Sequence, residues 1–81
     1  MTAKHVQLSW WWRDDRTLYW ANGWRRGGYV VECDGDRWNV DHVDHRRGTK
    51  RRRLGMTATA KAAKALAQTD YDLVRGVRRP T

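Results

Sequence analysis

The chain has a single cysteine, Cys33, in 81 residues, so no disulfide can close within it and no cluster of thiolates can hold a metal. That usage suits a reducing compartment. Glu32 and Asp34 flank Cys33, a poor setting for a nucleophilic thiolate, and we read the residue as a small, half-buried apolar side chain. Ser9 is the lone serine and stands beside no plausible His and acid pair. Gly23, Gly27 and Gly28 lack the spacing of a phosphate-cradling loop. No catalytic group, cofactor motif or small-molecule substrate is therefore indicated, and the expectation is a binding protein rather than an enzyme. No apolar run approaches the roughly 20 residues that span a bilayer, and Met1-Thr-Ala-Lys4 leads into no signal-peptide core, which points to a cytoplasmic protein without a membrane partner.

Charge of one sign is also scarce. Nine acids face seventeen Lys and Arg, a net charge of +8 that favours polyanionic partners. The imbalance is local: Glu32, Asp34, Asp36, Asp41 and Asp44 gather on one stretch, whereas Arg46, Arg47, Lys50, Arg51, Arg52 and Arg53 hold six cations in eight positions with no acid between them. Such a run, around Gly48-Thr49, reads as a phosphate-contacting loop, and its arginines suit phosphate and guanine edges. Lys61, Lys64 and the Arg78-Arg79 pair would add attraction.

The hydrophobic fraction is only 40%, but it includes six tryptophans, each able to bury roughly 150 to 250 Å². A core small in residue number can thus be large in area. Trp20 and Trp38 are expected in that core. Trp11 and Trp24 are candidates for exposed contacts beside Arg13, Arg25 and Arg26, an arrangement that could stack bases. Trp10, Trp11 and Trp12 cannot all face one way on a strand.

Two β-prone runs, 29–33 and 37–43, flank Asp34-Gly35-Asp36 and predict a hairpin. With Asp34-Gly35 at the centre of the turn, Val31 would face Trp38, Tyr29 would face Val40, and Glu32 would meet Arg37. Upstream, 6–12 and 16–21 read as two further strands around Asp14-Asp15. From Thr57 the composition turns to alanine and lysine, and a helix is predicted over 59–68, entered through a threonine N-cap. Lys61, Lys64 and Gln68 would form its polar stripe, and Ala62, Ala63, Leu66 and Ala67 its packed face; Tyr71, Leu73 and Val74 could prolong it. The result is an α+β fold: a three- or four-stranded antiparallel sheet with one C-terminal helix packed on one face, a single domain over 1–74 and a mobile basic tail over 75–81.

Asp41-His42-Val43-Asp44-His45 resembles the start of an HNH nuclease motif, but no Asn or His follows His45 to complete a metal site. Trp20, Gly28-Tyr29, Trp38 and the Ala60, Lys61, Ala62, Ala63, Lys64, Ala65 run together resemble short proteins of actinobacteria and their phages, mostly of unknown function, over about residues 17 to 68. The sheet-then-helix order is similar to the AP2 domain of plants and to the arm-binding domains of phage integrases. That likeness implies DNA reading by sheet arginines, a role Arg37, Arg25 and Arg26 could fill here. Glu32 and Asp41 on the presumed outer surface oppose it, which moves the expectation to the 46–53 segment. The reading from sequence is a small accessory protein that binds DNA or RNA without sequence specificity. Its alternative is a protein-binding module, a host-directed inhibitor or an oligomer subunit, that uses exposed Trp and Arg.

Overall fold

The computed structural model describes residues 6–23, 27–45 and 49–76. Five strands, β1 (Trp10–Trp12), β2 (Leu18–Asn22), β3 (Gly27–Asp34), β4 (Arg37–Asp44) and β5 (Lys50–Thr57), are followed by one helix, α1 (Ala60–Val74). Each strand pairs antiparallel with the next, giving the open sheet order β1-β2-β3-β4-β5. The helix lies across β3, β4 and β5 on one face. The fold is α+β, with one strand more than the largest sheet the sequence suggested, because the second half of the basic run is extended and pairs with β4.

Alternation along each strand sorts the side chains. Tyr19, Ala21, Tyr29, Val31 and Val40 face the helix and form the core with Leu8, Ala63, Ala67 and Tyr71. Val31, Val40, Ala63 and Ala67 are fully buried. Alanine at both helix positions lets α1 sit close to the sheet, and a Cβ placed on Gly55 would stand 3.0 Å from Leu66 Cδ2. Ala62, expected in the packed face, is instead exposed.

The central hairpin forms in a register different from the expected one. Val31 pairs with Val40, Tyr29 with His42, Cys33 with Trp38 and Glu32 with Asn39, so the turn is centred on Gly35-Asp36 and Arg37 meets Asp34. Gly35 carries a φ of +64° and Asp36 has no positive φ, the sign pattern of a type II′ turn, which takes glycine at its first central position. Moving a two-residue turn by one position shifts the pairing by two, so every side chain keeps the face predicted for it.

The first strand is shorter than the pattern suggested. Residues 6–9 are not strand: Leu8 N–H donates to Gln68 Oε1 (2.8 Å), and Gln68 Nε2 donates to the Val6 carbonyl (2.9 Å) and to Asp72 Oδ1 (2.9 Å). Gln68 is thus not a solvated stripe residue but the tether of the N-terminal segment. The β1–β2 turn is organised by Asp15. The Thr17 hydroxyl and then the Thr17 amide donate to its carboxylate, which, with Arg13, holds its pKa below the ordinary value. Arg16 takes φ +57° there, so β2 begins at Leu18 rather than at Arg16.

Thr59 caps α1 by accepting from Ala62 N–H at 3.1 Å. The helix continues past Gln68 to Val74 because Tyr71 packs edge-on against Tyr29, ring centroids 6.3 Å apart, and it stops at Gly76, whose φ is +73°. Leu73 and Val74 are exposed on its far side.

Tyr29 ties the layers together: its hydroxyl donates to Asp70 Oδ2 (2.8 Å). Burial first, and then the bond to Asp70, push its phenol far above the ordinary value of 10.0. In the unfolded chain that phenol ionises near pH 10, so its contribution is intact below about pH 10 and is lost as pH rises further, by up to ~1.4 kcal/mol per pH unit. We expect urea titrations above pH 10 to show a steeper loss of stability for the wild type than for Tyr29→Phe. Parallel curves would contradict the assigned bond and burial.

Candidate nucleic-acid interface

No element among the described residues covers the second face of the sheet. Its side chains form three cross-strand rows that follow from the pairing register. The middle row runs Trp11, Trp20, Val30, Asp41, Arg53 from β1 to β5; beside it run Asn22, Gly28, Val43, Arg51 and, on the other flank, Leu18, Glu32, Asn39, Met56. Trp11 and Trp20 are direct cross-strand partners and are 48% and 41% exposed. Trp11 was a candidate for exposure, whereas Trp20 was expected in the core. Tyr19 and Ala21 occupy the helix side of β2, so alternation sends Trp20 outward. Trp38 does pack against the core, 5.9 Å from Tyr19 between ring centroids. Trp12, on the helix side at the sheet edge, lies under the Arg16 guanidinium at 5.2 Å.

The basic run is divided by the same alternation. Arg51 and Arg53 project onto the open face, where both grip Asp41: Arg51 Nη2 donates to Oδ2 at 2.8 Å and Arg53 Nε to Oδ1 at 2.5 Å. Arg52 turns to the helix side and meets Asp70 at 3.4 Å. Lys50–Arg53 is therefore strand, not a solvated loop, and its three arginines already have carboxylate partners. The Asp41 side chain is only 11% exposed, but the two arginine side chains are each 51% exposed. Each arginine uses one nitrogen for Asp41, and a guanidinium has five N–H donors in all. Asp41 thus fixes two planar donor forks side by side with donors to spare for a second anion. Glu32 lines the same shallow depression, of about 360 Å³, with Asp41, Arg51 and Arg53.

Lys61 and Lys64 belong to α1, so they do not share this face with Arg51 and Arg53. Lys64 Nζ sits 3.7 Å from the Tyr19 ring centroid, and burial, then the nearby Arg16, hold its pKa below the ordinary value. It is a packing residue, not an exposed phosphate contact. Arg37 lies at the hairpin turn opposite Asp34. His42 packs edge-on against Tyr29 at 5.2 Å on the helix side, and the His45 ring is 3.3 Å from the Thr49 hydroxyl. Among the described residues no three His, Cys, Asp or Glu side chains converge as a metal site would require, and no helix is long and apolar enough to cross a membrane.

Trp24, Arg25, Arg26, Arg46 and Arg47 lie outside the described residues, as do Lys4, Arg78 and Arg79. Those seven cations are accompanied by no acid, so the described residues hold ten cations against all nine acids. Most of the net charge therefore belongs to the connections and the chain ends. The β2–β3 and β4–β5 connections leave from one end of the sheet, where Asn22 pairs with Gly28, and Gly27, Asp44 and Lys50 lie in one row. At that end a groove of about 260 Å³ opens on the helix-free face, lined chiefly by Trp20, Asn22, Gly28, Val30, Val43 and His45. The sequence signalled the groove only through Gly27-Gly28.

Comparison with protein-family models, curated proteins and solved structures finds no match to this chain.

Proposed function

We propose that the protein is a nucleic-acid-binding domain and that the helix-free face of its sheet is the contact surface. The observation that carries this reading is the continuity of that face: two exposed tryptophans on β1 and β2 lead across Val30 to a pair of arginines on β5 held in place by Asp41. Exposed aromatic rings offer bases a stacking surface, and pre-oriented guanidiniums offer phosphates paired donors. The net charge of +8 supplies long-range attraction for a polyanion. The acids that argued against the sheet weigh less in this geometry, because Asp41 is neutralised by its own arginines; Glu32 remains.

The test is a titration with random-sequence nucleic acid at several salt concentrations, comparing the wild type with the triple variant Asp41→Asn, Arg51→Gln, Arg53→Gln. Asp41→Asn is isosteric, the glutamines keep polar side chains at the half-exposed arginine positions, and no buried carboxylate is left without a partner. The log-log salt slope should become shallower by roughly 1.5, the value expected for two lost phosphate contacts. An unchanged slope would remove the two arginines from the interface, and no binding at moderate salt would end the reading.

A protein partner is the second reading. It is favoured by Trp11, Trp20 and Met56 being exposed together on a face whose described strand charges, Glu32, Asp34 and Asp41 against Arg37, Arg51 and Arg53, cancel. Tryptophan and arginine dominate binding hot spots. If this reading is right, self-association or capture of a protein partner should be lost on Trp11→Ala with Trp20→Ala and should be insensitive to salt.

A further inference from the structure

We infer that the nucleic acid taken by this face is single-stranded, with an unpaired base seated in the groove beside Trp20; the inference rests on the nucleic-acid reading above. The pairing register places Asn22, Gly28, Val43 and Arg51 in one cross-strand row, adjacent to the row of Trp11, Trp20, Val30, Asp41 and Arg53. Gly28 is the one position in its row without a side chain, so the surface there falls to backbone level between Asn22 and Val43, with the Trp20 indole as a wall. The notch is built into the backbone: a Cβ on Gly28 would come within 2.9 Å of the Ala21 carbonyl oxygen, closer than real contacts allow. Substitution at this position would therefore both fill the notch and strain the β2–β3 pairing.

A notch that is mostly apolar, with Trp20 and Asn22 in its lining, suits a flat ring with polar edges. A base in a duplex cannot enter it, since its faces are covered by its stacked neighbours and only its edges and the backbone are presented. An unpaired base can turn its face to the indole and its edge to the amide. Arg51 lies two strands from Gly28 in the same row, about 10 Å at the usual strand spacing, and Arg53 stands beside it, so the phosphates of the same strand pass over the two guanidiniums. Trp11, next to Trp20, would receive a neighbouring base.

The experiment uses the full chain and labelled oligonucleotides of equal length, followed by fluorescence anisotropy: oligothymidylate, a duplex, and an abasic strand that keeps the sugar-phosphate chain but has no bases. The wild type is compared with Trp20→Leu, whose side chain is half exposed and whose fold is checked by circular dichroism. We expect oligothymidylate to bind at least tenfold more tightly than the abasic strand. Trp20→Leu should weaken oligothymidylate roughly tenfold to a hundredfold with the salt slope unchanged, and should leave the abasic strand unaffected. Equal affinity for the three oligonucleotides, or a Trp20→Leu variant that binds oligothymidylate as the wild type does, overturns the unpaired-base inference while the nucleic-acid reading stands. Absence of binding to all three overturns both.

Discussion

Tyr29→Ala is expected to leave the domain unfolded, or nearly so, at room temperature. The side chain is 1% exposed and meets both layers: His42 of β4 at 5.2 Å, Tyr71 of α1 at 6.3 Å, and Asp70 through its hydroxyl at 2.8 Å. Truncating a buried aromatic residue costs about 3 to 5 kcal/mol, and here the cavity would lie between sheet and helix, where neither layer can collapse into it without losing the other's contacts. A chain of this size has total stability on the order of 4 to 12 kcal/mol, so the loss is a large share of the whole. Urea unfolding followed by tryptophan emission measures it. A loss below about 1 kcal/mol would mean that Tyr29 is not the junction described here. Tyr29→Phe, which keeps the ring and removes only the hydroxyl, should cost about 1 kcal/mol, because Asp70 retains Arg52 at 3.4 Å.

Gln68→Ala has the second largest expected effect, and a local one. It removes the bonds to the Leu8 amide, the Val6 carbonyl and Asp72. Two of these hold a segment about sixty residues away in sequence, whose only buried side chain among the described residues is Leu8. With each bond contributing about 1 kcal/mol and Leu8 freed from the core, a loss of roughly 2 to 4 kcal/mol is expected. Hydrogen exchange should show the Leu8 amide losing protection more than the amides at the centre of β3 and β4. Uniform loss across the sheet would instead assign Gln68 to the global core.

Much of the fold was legible because it depends on local rules. Thr59 before an alanine-rich run marks a helix start in any context, and the β-prone runs around Gly35 form a hairpin whose faces survive a change of turn position. The three tryptophans at 10–12 had to divide between faces, and they do: Trp10 packs against the core and Trp11 is exposed on the other side. What the local rules missed has a common cause. Arg51, Arg52 and Arg53 are a poor strand in isolation, since like charges crowd it. They become β5 because β4 presents Asp41 on one face and α1 brings Asp70 to the other. Asp41, read from the chain alone as repelling a polyanion, is one of the two partners that make the basic strand possible.

The same distinction separates what each level decided about the candidate site. By itself the sequence determined the charge of +8, the supply of tryptophan, the hairpin, the helix cap and the exclusion of an internal disulfide, since composition and short-range geometry settle these. Only the tertiary structure decided that Trp20 faces outward, that Gln68 tethers the N-terminal segment, that Lys64 is spent on Tyr19, and that Arg51 and Arg53 share one face with Trp11 and Trp20. The physical reason is that a strand's side chains alternate whatever their chemistry. The face each one joins is set by which neighbours the other strands and the helix bring to it, and those neighbours are distant in sequence.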